Sequence, residues 1–140
     1  MYLTLPSVWL PSLALAFSTG AVCNPAAAQS ILRGQTVFET HCTTCHALDA
    51  HRAGPALRGV VGRTAGKAPE YFYSEALESA THVWDTTKLK AWLTRPQDVV
   101  PGQEMNFQLA SARDREDVVA YLESLSPRKN SPPLQKETSR

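Results

Sequence analysis

Charge is missing from the start of this chain: residues 1–32 contain no Asp, Glu, Lys or Arg. The segment carries apolar stretches such as Val8-Trp9-Leu10 and Leu13-Ala14-Leu15-Ala16-Phe17 and runs into Ala26-Ala27-Ala28-Gln29. Pro6 and Pro11 interrupt the apolar run. A clean span of about 20 residues is therefore lacking too, which argues against a membrane anchor. The segment reads as a secretory signal peptide over residues 1–28, cleaved after Ala28, although the opening Lys or Arg of such leaders is absent. Neither sign of charge dominates the whole chain, with 14 Lys+Arg against 13 Asp+Glu in 140 residues. That balance excludes a basic nucleic-acid binder and an acidic disordered chain. No internal repeat is visible, and no stretch alternates as a strand should.

Cysteine is scarce as well. Of three, Cys23 falls in the leader, which leaves Cys42 and Cys45 and no second pair. No H-x-x-x-H run completes a zinc shell, and the strand-to-helix setting of a redox dithiol is missing. What is present is Cys42-Thr43-Thr44-Cys45-His46. This C-x-x-C-H pentad is the pattern for covalent haem attachment. Thiols at i and i+3, on one helical turn, can each form a thioether to one haem vinyl group, and the adjacent imidazole reaches the iron from the same side. Export agrees with this chemistry, since in bacteria such attachment takes place outside the cytoplasmic membrane. The expected cofactor is one covalently bound haem c.

Around the pentad the pattern is helical. Ile31, Gly34, Phe38 and Cys42 recur at helical spacing behind Ser30, a plausible N-cap, so a first helix should run into the attachment turn. Gly34 costs such a helix about 1 kcal/mol relative to alanine, which implies a close helix crossing. The expected partner is the last helix, with Val118, Tyr121, Leu122 and Leu125 on one face and Ser111 and Asp114 as capping candidates. Asp85 or Thr86 should open a shorter helix through Leu89, Trp92 and Leu93, ended by Pro96. Residues 74–80 suit one more. Gly54-Pro55, Gly59, Gly62, Gly66 and Pro69 make the stretch between loop-rich. The expectation is an all-α domain over residues 29–125, three to five helices with long loops wrapped around the haem, followed by a disordered tail over 126–140. So small a core would depend on the porphyrin, and the apo-chain should fold poorly.

Methionine is nearly absent: apart from Met1 in the leader there is Met105, in Pro101-Gly102-Gln103-Glu104-Met105-Asn106-Phe107. A methionine on a short Pro-Gly loop among polar residues is badly placed as a core filler. Whether a protein atom fills the iron face opposite His46 separates an electron carrier from a gas-binding or peroxidatic haem protein.

Five segments carry a wider likeness: Gly34-x-x-x-Phe38-x-x-x-Cys42-x-x-Cys45-His46, Gly54-Pro55-x-Leu57-x-Gly59-Val60-Val61-Gly62-Arg63, Ala68-Pro69-x-Tyr71-x-Tyr73-Ser74-x-Ala76-Leu77, Pro101-Gly102-x-x-Met105-x-Phe107, and Asp114-Arg115-x-Asp117-Val118-Val119-Ala120-Tyr121-Leu122. In order and spacing the chain resembles the class I cytochrome c family, in its mitochondrial cytochrome c and bacterial cytochrome c2 branch. The resemblance implies that Cys42 and Cys45 are the thioether anchors and that His46 and Met105 are the axial ligands of the iron. It also implies that the Pro55 carbonyl accepts a hydrogen bond from His46, and that Arg63, Tyr73 and Trp84 hydrogen-bond the haem propionates. The implied function is one-electron transfer by a monomeric, soluble periplasmic carrier of a respiratory or dehydrogenase-linked chain, not an enzyme. Its partners would be redox proteins, a reductase or dehydrogenase and an oxidase, with no nucleic acid. The alternative is a dedicated electron-accepting subunit of one oxidoreductase complex.

Departures from the branch are informative. Leu77 stands where an asparagine is common, Trp92 where a tyrosine is, and Gln103 where a threonine is, which puts the family's buried water network in doubt. Glu104 replaces a familiar lysine, and Gln97 and Asp98 lie where others carry basic residues. The lysine ring that steers such carriers to acidic partners is weakened. Electron transfer should therefore depend less on ionic strength than is typical of the branch, and a steep loss of rate with added salt in stopped-flow assays would count against this.

Overall fold

The structure, a computed structural model, describes residues 24–127. Five helices follow in order: α1 (Pro25–His41), α2 (Glu75–Glu78), α3 (Thr86–Thr94), α4 (Pro96–Val99) and α5 (Ala112–Ser124). Among the described residues the one β-type pairing is an isolated bridge between Thr64 and Val83, so the all-α expectation holds. The first 23 residues of the expected leader and residues 128–140 of the expected tail lie outside the described residues.

Ser30 is not the N-cap of α1. The helix starts earlier, capped by Asn24, whose Oδ1 accepts the Ala26 N–H at 3.1 Å, with Pro25 in the first turn. An Asn cap followed by Pro is a stronger start signal than a lone serine, and Ala26-Ala27-Ala28 propagates the helix. The cleavage expected after Ala28 thus falls within α1. Ser30 instead donates from Oγ to Asp117 Oδ1 of α5 at 2.5 Å.

That contact belongs to the crossing of α1 and α5. Gly34 is buried there, and a Cβ on it would strike the Asp117 carbonyl and approach Tyr121 Cβ to 2.8 Å. The glycine therefore lets the two backbones touch. Beside it Arg33 donates from Nε to Asp117 Oδ2 (2.7 Å) and from Nη2 to Oδ1 (2.9 Å). Phe38 and Tyr121 pack ring against ring at 5.8 Å. Val118, Val119 and Leu122 carry the apolar face of α5 into the core, where Leu89, Trp92 and Leu93 of α3 meet it.

Asp85 caps α3, its Oδ1 accepting the Lys88 N–H at 2.6 Å. Arg95 then turns extended (φ −157°, ψ 95°) because a residue before proline avoids the helical region. Pro96 does more than end α3: it serves as the first residue of the single turn α4. Of the two capping candidates for α5, Ser111 is the one used, its Oγ accepting the Asp114 N–H at 3.2 Å.

The hydrogen bond from Arg33, aided by that from Ser30, holds the Asp117 carboxyl below its ordinary pKa. A depressed folded-state value stabilises the fold above the unfolded-state pKa, and that stabilisation is lost as pH falls through the folded-state value. Asp117→Asn should cost about 1–3 kcal/mol near neutral pH, less than a fully buried pair because Arg33 is partly hydrated. It should also flatten the acid limb of stability against pH, measured by guanidinium unfolding across a pH series.

Candidate functional site

Helix α1 delivers the pentad. It ends at His41, and the chain continues in tight turns: Cys42 N–H donates to Phe38 O (2.9 Å), Cys45 N–H to Cys42 O (3.1 Å) and His46 N–H to Cys42 O (2.8 Å). These turns bring Cys42, Cys45 and His46 to the wall of one cleft of about 540 Å³. Burial, and then the neighbouring Cys45, push the Cys42 thiol up to about 11. At neutral pH it is a thiol rather than the thiolate a redox dithiol requires.

His46 is held on its far side. Its Nδ1–H donates to the Pro55 carbonyl at 2.8 Å. A carbonyl can only accept, so the proton sits on Nδ1 and the Nε2 lone pair stays available to a metal. Burial lowers the ring's pKa from its ordinary value, against the opposing pull of the Pro55 bond, and so favours the neutral ligand form. Gly54 makes the close approach possible: a Cβ there would lie 2.6 Å from His46 Nδ1 and 2.7 Å from Nε2.

Met105 lines the same cleft, and its Sδ accepts the Trp92 indole N–H at 3.1 Å. Leu57, Leu77, Leu89, Leu93 and Val118 complete an apolar lining. Arg63, Tyr73 and Trp84 also reach the cleft. Arg63 is braced by the carbonyls of Ala56 (2.8 Å) and Arg58 (2.5 Å). The Tyr73 hydroxyl accepts the Ala68 N–H at 3.3 Å, which leaves its own proton to donate. Trp84 is buried, edge-on to both His82 (4.5 Å) and Trp92 (5.1 Å). All eight residues expected from the sequence are therefore assembled around one cleft or, for Pro55, also bonded to its imidazole.

Ser74 was not among them. Its Oγ is buried beside Tyr73 in the cleft lining without a hydrogen-bond partner. A buried hydroxyl so placed calls for an acceptor within the cleft. The available signal was a hydroxyl next to Tyr73 in a segment already read as propionate-binding. A neutral imidazole, a thioether, two thiols, apolar walls and a rim of donors fit a flat apolar macrocycle with an acidic edge. Of the other histidines, His51 donates from Nε2 to Pro69 O (2.8 Å) and accepts the Ala56 N–H (3.0 Å), His41 lines the cleft with its ring 6.5 Å from that of Phe107, and His82 packs edge-on to Trp84 with its Nε2 buried and unpartnered.

The geometry has counterparts among known proteins. The family model described as Cytochrome c matches residues 31–126. Cytochrome c of Euglena viridis is 40% identical over 96 residues, covering 66% of this chain and 94% of that protein. Cytochrome c2 of Rhodopila globiformis is 38% identical over 97 residues, covering 67% and 92%. The solved structure of cytochrome cH from Methylobacterium extorquens superposes with a TM-score of 0.64 at 36% identity, covering 67% of this chain and 97% of that one.

Because Gly54 alone lets the backbone pass the imidazole, Gly54→Ala should cut the haem-stained protein recovered at least about tenfold, the scale of losing a positioning contact to a metal ligand. Ala50→Ser, at an exposed position, should leave the recovery unchanged.

Proposed function

The chain belongs to the cytochrome c family, an all-α electron carrier with one covalently attached haem c, and from that premise we propose that it works as a His/Met-ligated carrier in the periplasm. In this reading Cys42 and Cys45 form the thioethers, and His46 and Met105 ligate the iron. The observation that carries it is the shared cleft, where an imidazole with its Nε2 lone pair free and a thioether held by an indole N–H line one apolar space.

The haem supplies a reversible Fe(II)/Fe(III) couple, and the protein's task is to let that couple change with little rearrangement. The Pro55 carbonyl fixes the His46 ring and raises its basicity. Met105 is a neutral ligand that favours the reduced state, and the Trp92 N–H withdraws density from its sulfur in the same direction. The leucines and Val118 exclude water. Arg63, Tyr73, Trp84 and Ser74 give the propionates donors, without which their burial would be costly.

Export follows in this reading from the apolar stretches that run into Ala26-Ala27-Ala28 and from the compartment in which haem attaches to such pentads. No helix among the described residues is long and apolar enough to cross a membrane. The partners would be a reductase or dehydrogenase as donor and an oxidase as acceptor. One observation favours the second reading, a dedicated subunit of one oxidoreductase: Phe72 is 98% exposed at a cleft also lined by Glu104, with Glu75 nearby. That lip differs from the lysine-rich face of a general carrier. Co-purification with a single dehydrogenase would select it.

The oxidised wild-type protein should show the weak sulfur-to-iron absorption, and its pyridine haemochrome should report two thioethers. Met105→Ala should abolish that absorption while keeping the haem attached, and lower the reduction potential by on the order of 0.1 V, a fraction of the roughly 0.8 V that axial ligands span. An unchanged spectrum in Met105→Ala would refute the ligand assignment.

A further inference from the structure

Between α4 and α5 the chain has no regular structure, yet the part that leads to Met105 is closely tied. Gly102 adopts a left-handed backbone (φ +88°), and the Gln103 N–H donates back to Val100 O at 3.2 Å. Across this turn reaches Gln97 of α4. Its Oε1 accepts the Gly102 N–H at 3.0 Å, and its Nε2 donates to Gln103 O at 3.0 Å. One side-chain amide thus bridges two consecutive residues of the loop. Gln103 continues the chain inward. It is 5% exposed, and its Oε1 accepts the Met105 N–H at 2.5 Å. The Met105 sulfur in turn accepts from Trp92.

An exposed loop ordinarily leaves its amides to water. Here the peptide groups of Gly102, Gln103 and Met105 are bound by protein, through two side chains that differ from the branch's usual residues at those positions. Leu77, apolar where an asparagine is common, lines the same cleft and can fix no water.

We propose that Gln97 and Gln103 are positioning residues that hold Met105 in place as a ligand and so set how readily another ligand displaces it. The inference rests on the reading of Met105 as an iron ligand. Release of the sulfur requires the loop to move, and movement breaks these bonds. Each is exchanged for water at modest net cost, so removing either glutamine should shift the displacement equilibrium about tenfold.

The test uses the haem-loaded protein in its ferric form, titrated with imidazole while the sulfur-to-iron absorption is followed, with guanidinium unfolding measured in parallel. Gln97→Ala and Gln103→Ala should each lower the imidazole dissociation constant about tenfold. Gln97→Glu keeps the acceptor for Gly102 but sets a carboxylate oxygen against the Gln103 carbonyl, and should lower the constant at least as far as Gln97→Ala. Exposed Gln108→Ala should match wild type. If Gln103→Ala does not fold, Gln97→Ala, altered at an exposed position, decides. Unchanged imidazole affinity in the alanine variants overturns the proposal, even if their unfolding midpoints drop, since the glutamines would then serve only general stability. Failure of the ligand reading is distinguishable, because it appears in the wild type as an absent sulfur-to-iron absorption, and it too overturns the proposal.

Discussion

The hydrogen bond from His46 Nδ1 to the Pro55 carbonyl is the contact on which the rest of the site depends. It selects the tautomer, because a carbonyl cannot donate, and it aims the free nitrogen by fixing the ring. The bond in turn requires Gly54, since any side chain there would occupy the ring's own space. It also requires that the pentad arrive in a fixed orientation, which is the work of α1. A helix of 17 residues is positioned by what it packs against more than by its own propensity. Its packing is the Gly34 contact with α5, locked on one side by Arg33, Ser30 and Asp117. A glycine twelve residues before His46 therefore helps decide where an imidazole sits.

The cleft shows the opposite pressure. Its walls are apolar, yet its rim keeps donors in reserve: Ser74 Oγ has no partner, and Tyr73 spends only its acceptor side on the protein. Buried donors of this kind destabilise a chain folded alone and stabilise one that encloses an acidic, flat group. The polypeptide is thus arranged for its cofactor at a cost to itself. Trp84, Leu89, Trp92, Leu93 and Val118 belong to the hydrophobic core and line the cleft as well, so the cofactor belongs to the core as well as to the site.

What could be read from the sequence was whatever recurs at helical period or forms a contiguous motif. The pentad, the stripe of α5, the Asp85 cap and the close-packing role of Gly34 are of this kind, and each follows from local chemistry. Ser30 misled because it looks like a cap, while its hydroxyl serves a contact with Asp117, 87 residues away. The extra turn α4 escaped because proline was read only as a stop, although the same ring that ends one helix suits the first turn of the next. The Gln97 bridge and the orphaned Ser74 hydroxyl escaped for a shared reason. Glutamine and serine have many partners open to them, and only the folded loop says which is taken.

The His46 and Met105 sides of the cleft differ in what holds them. On the His46 side the restraints are a backbone carbonyl, a glycine packed against the ring, the helix α1 and the tight turns that tie Cys45 and His46 back to Cys42. These restraints are backbone groups and close packing, so freeing the ring requires the chain around it to move. On the Met105 side the restraints are side-chain bonds from Gln97, Gln103 and Trp92 to an irregular loop. Such bonds are individually worth little net free energy because water replaces them. Local opening concentrates where few apolar contacts hold exposed backbone, so any loosening of the site falls on the thioether side first. The fold therefore holds the imidazole as a fixture and the methionine sulfur adjustably, and the side chains that do the adjusting include two ordinary amides, Gln97 on α4 and Gln103 on the loop.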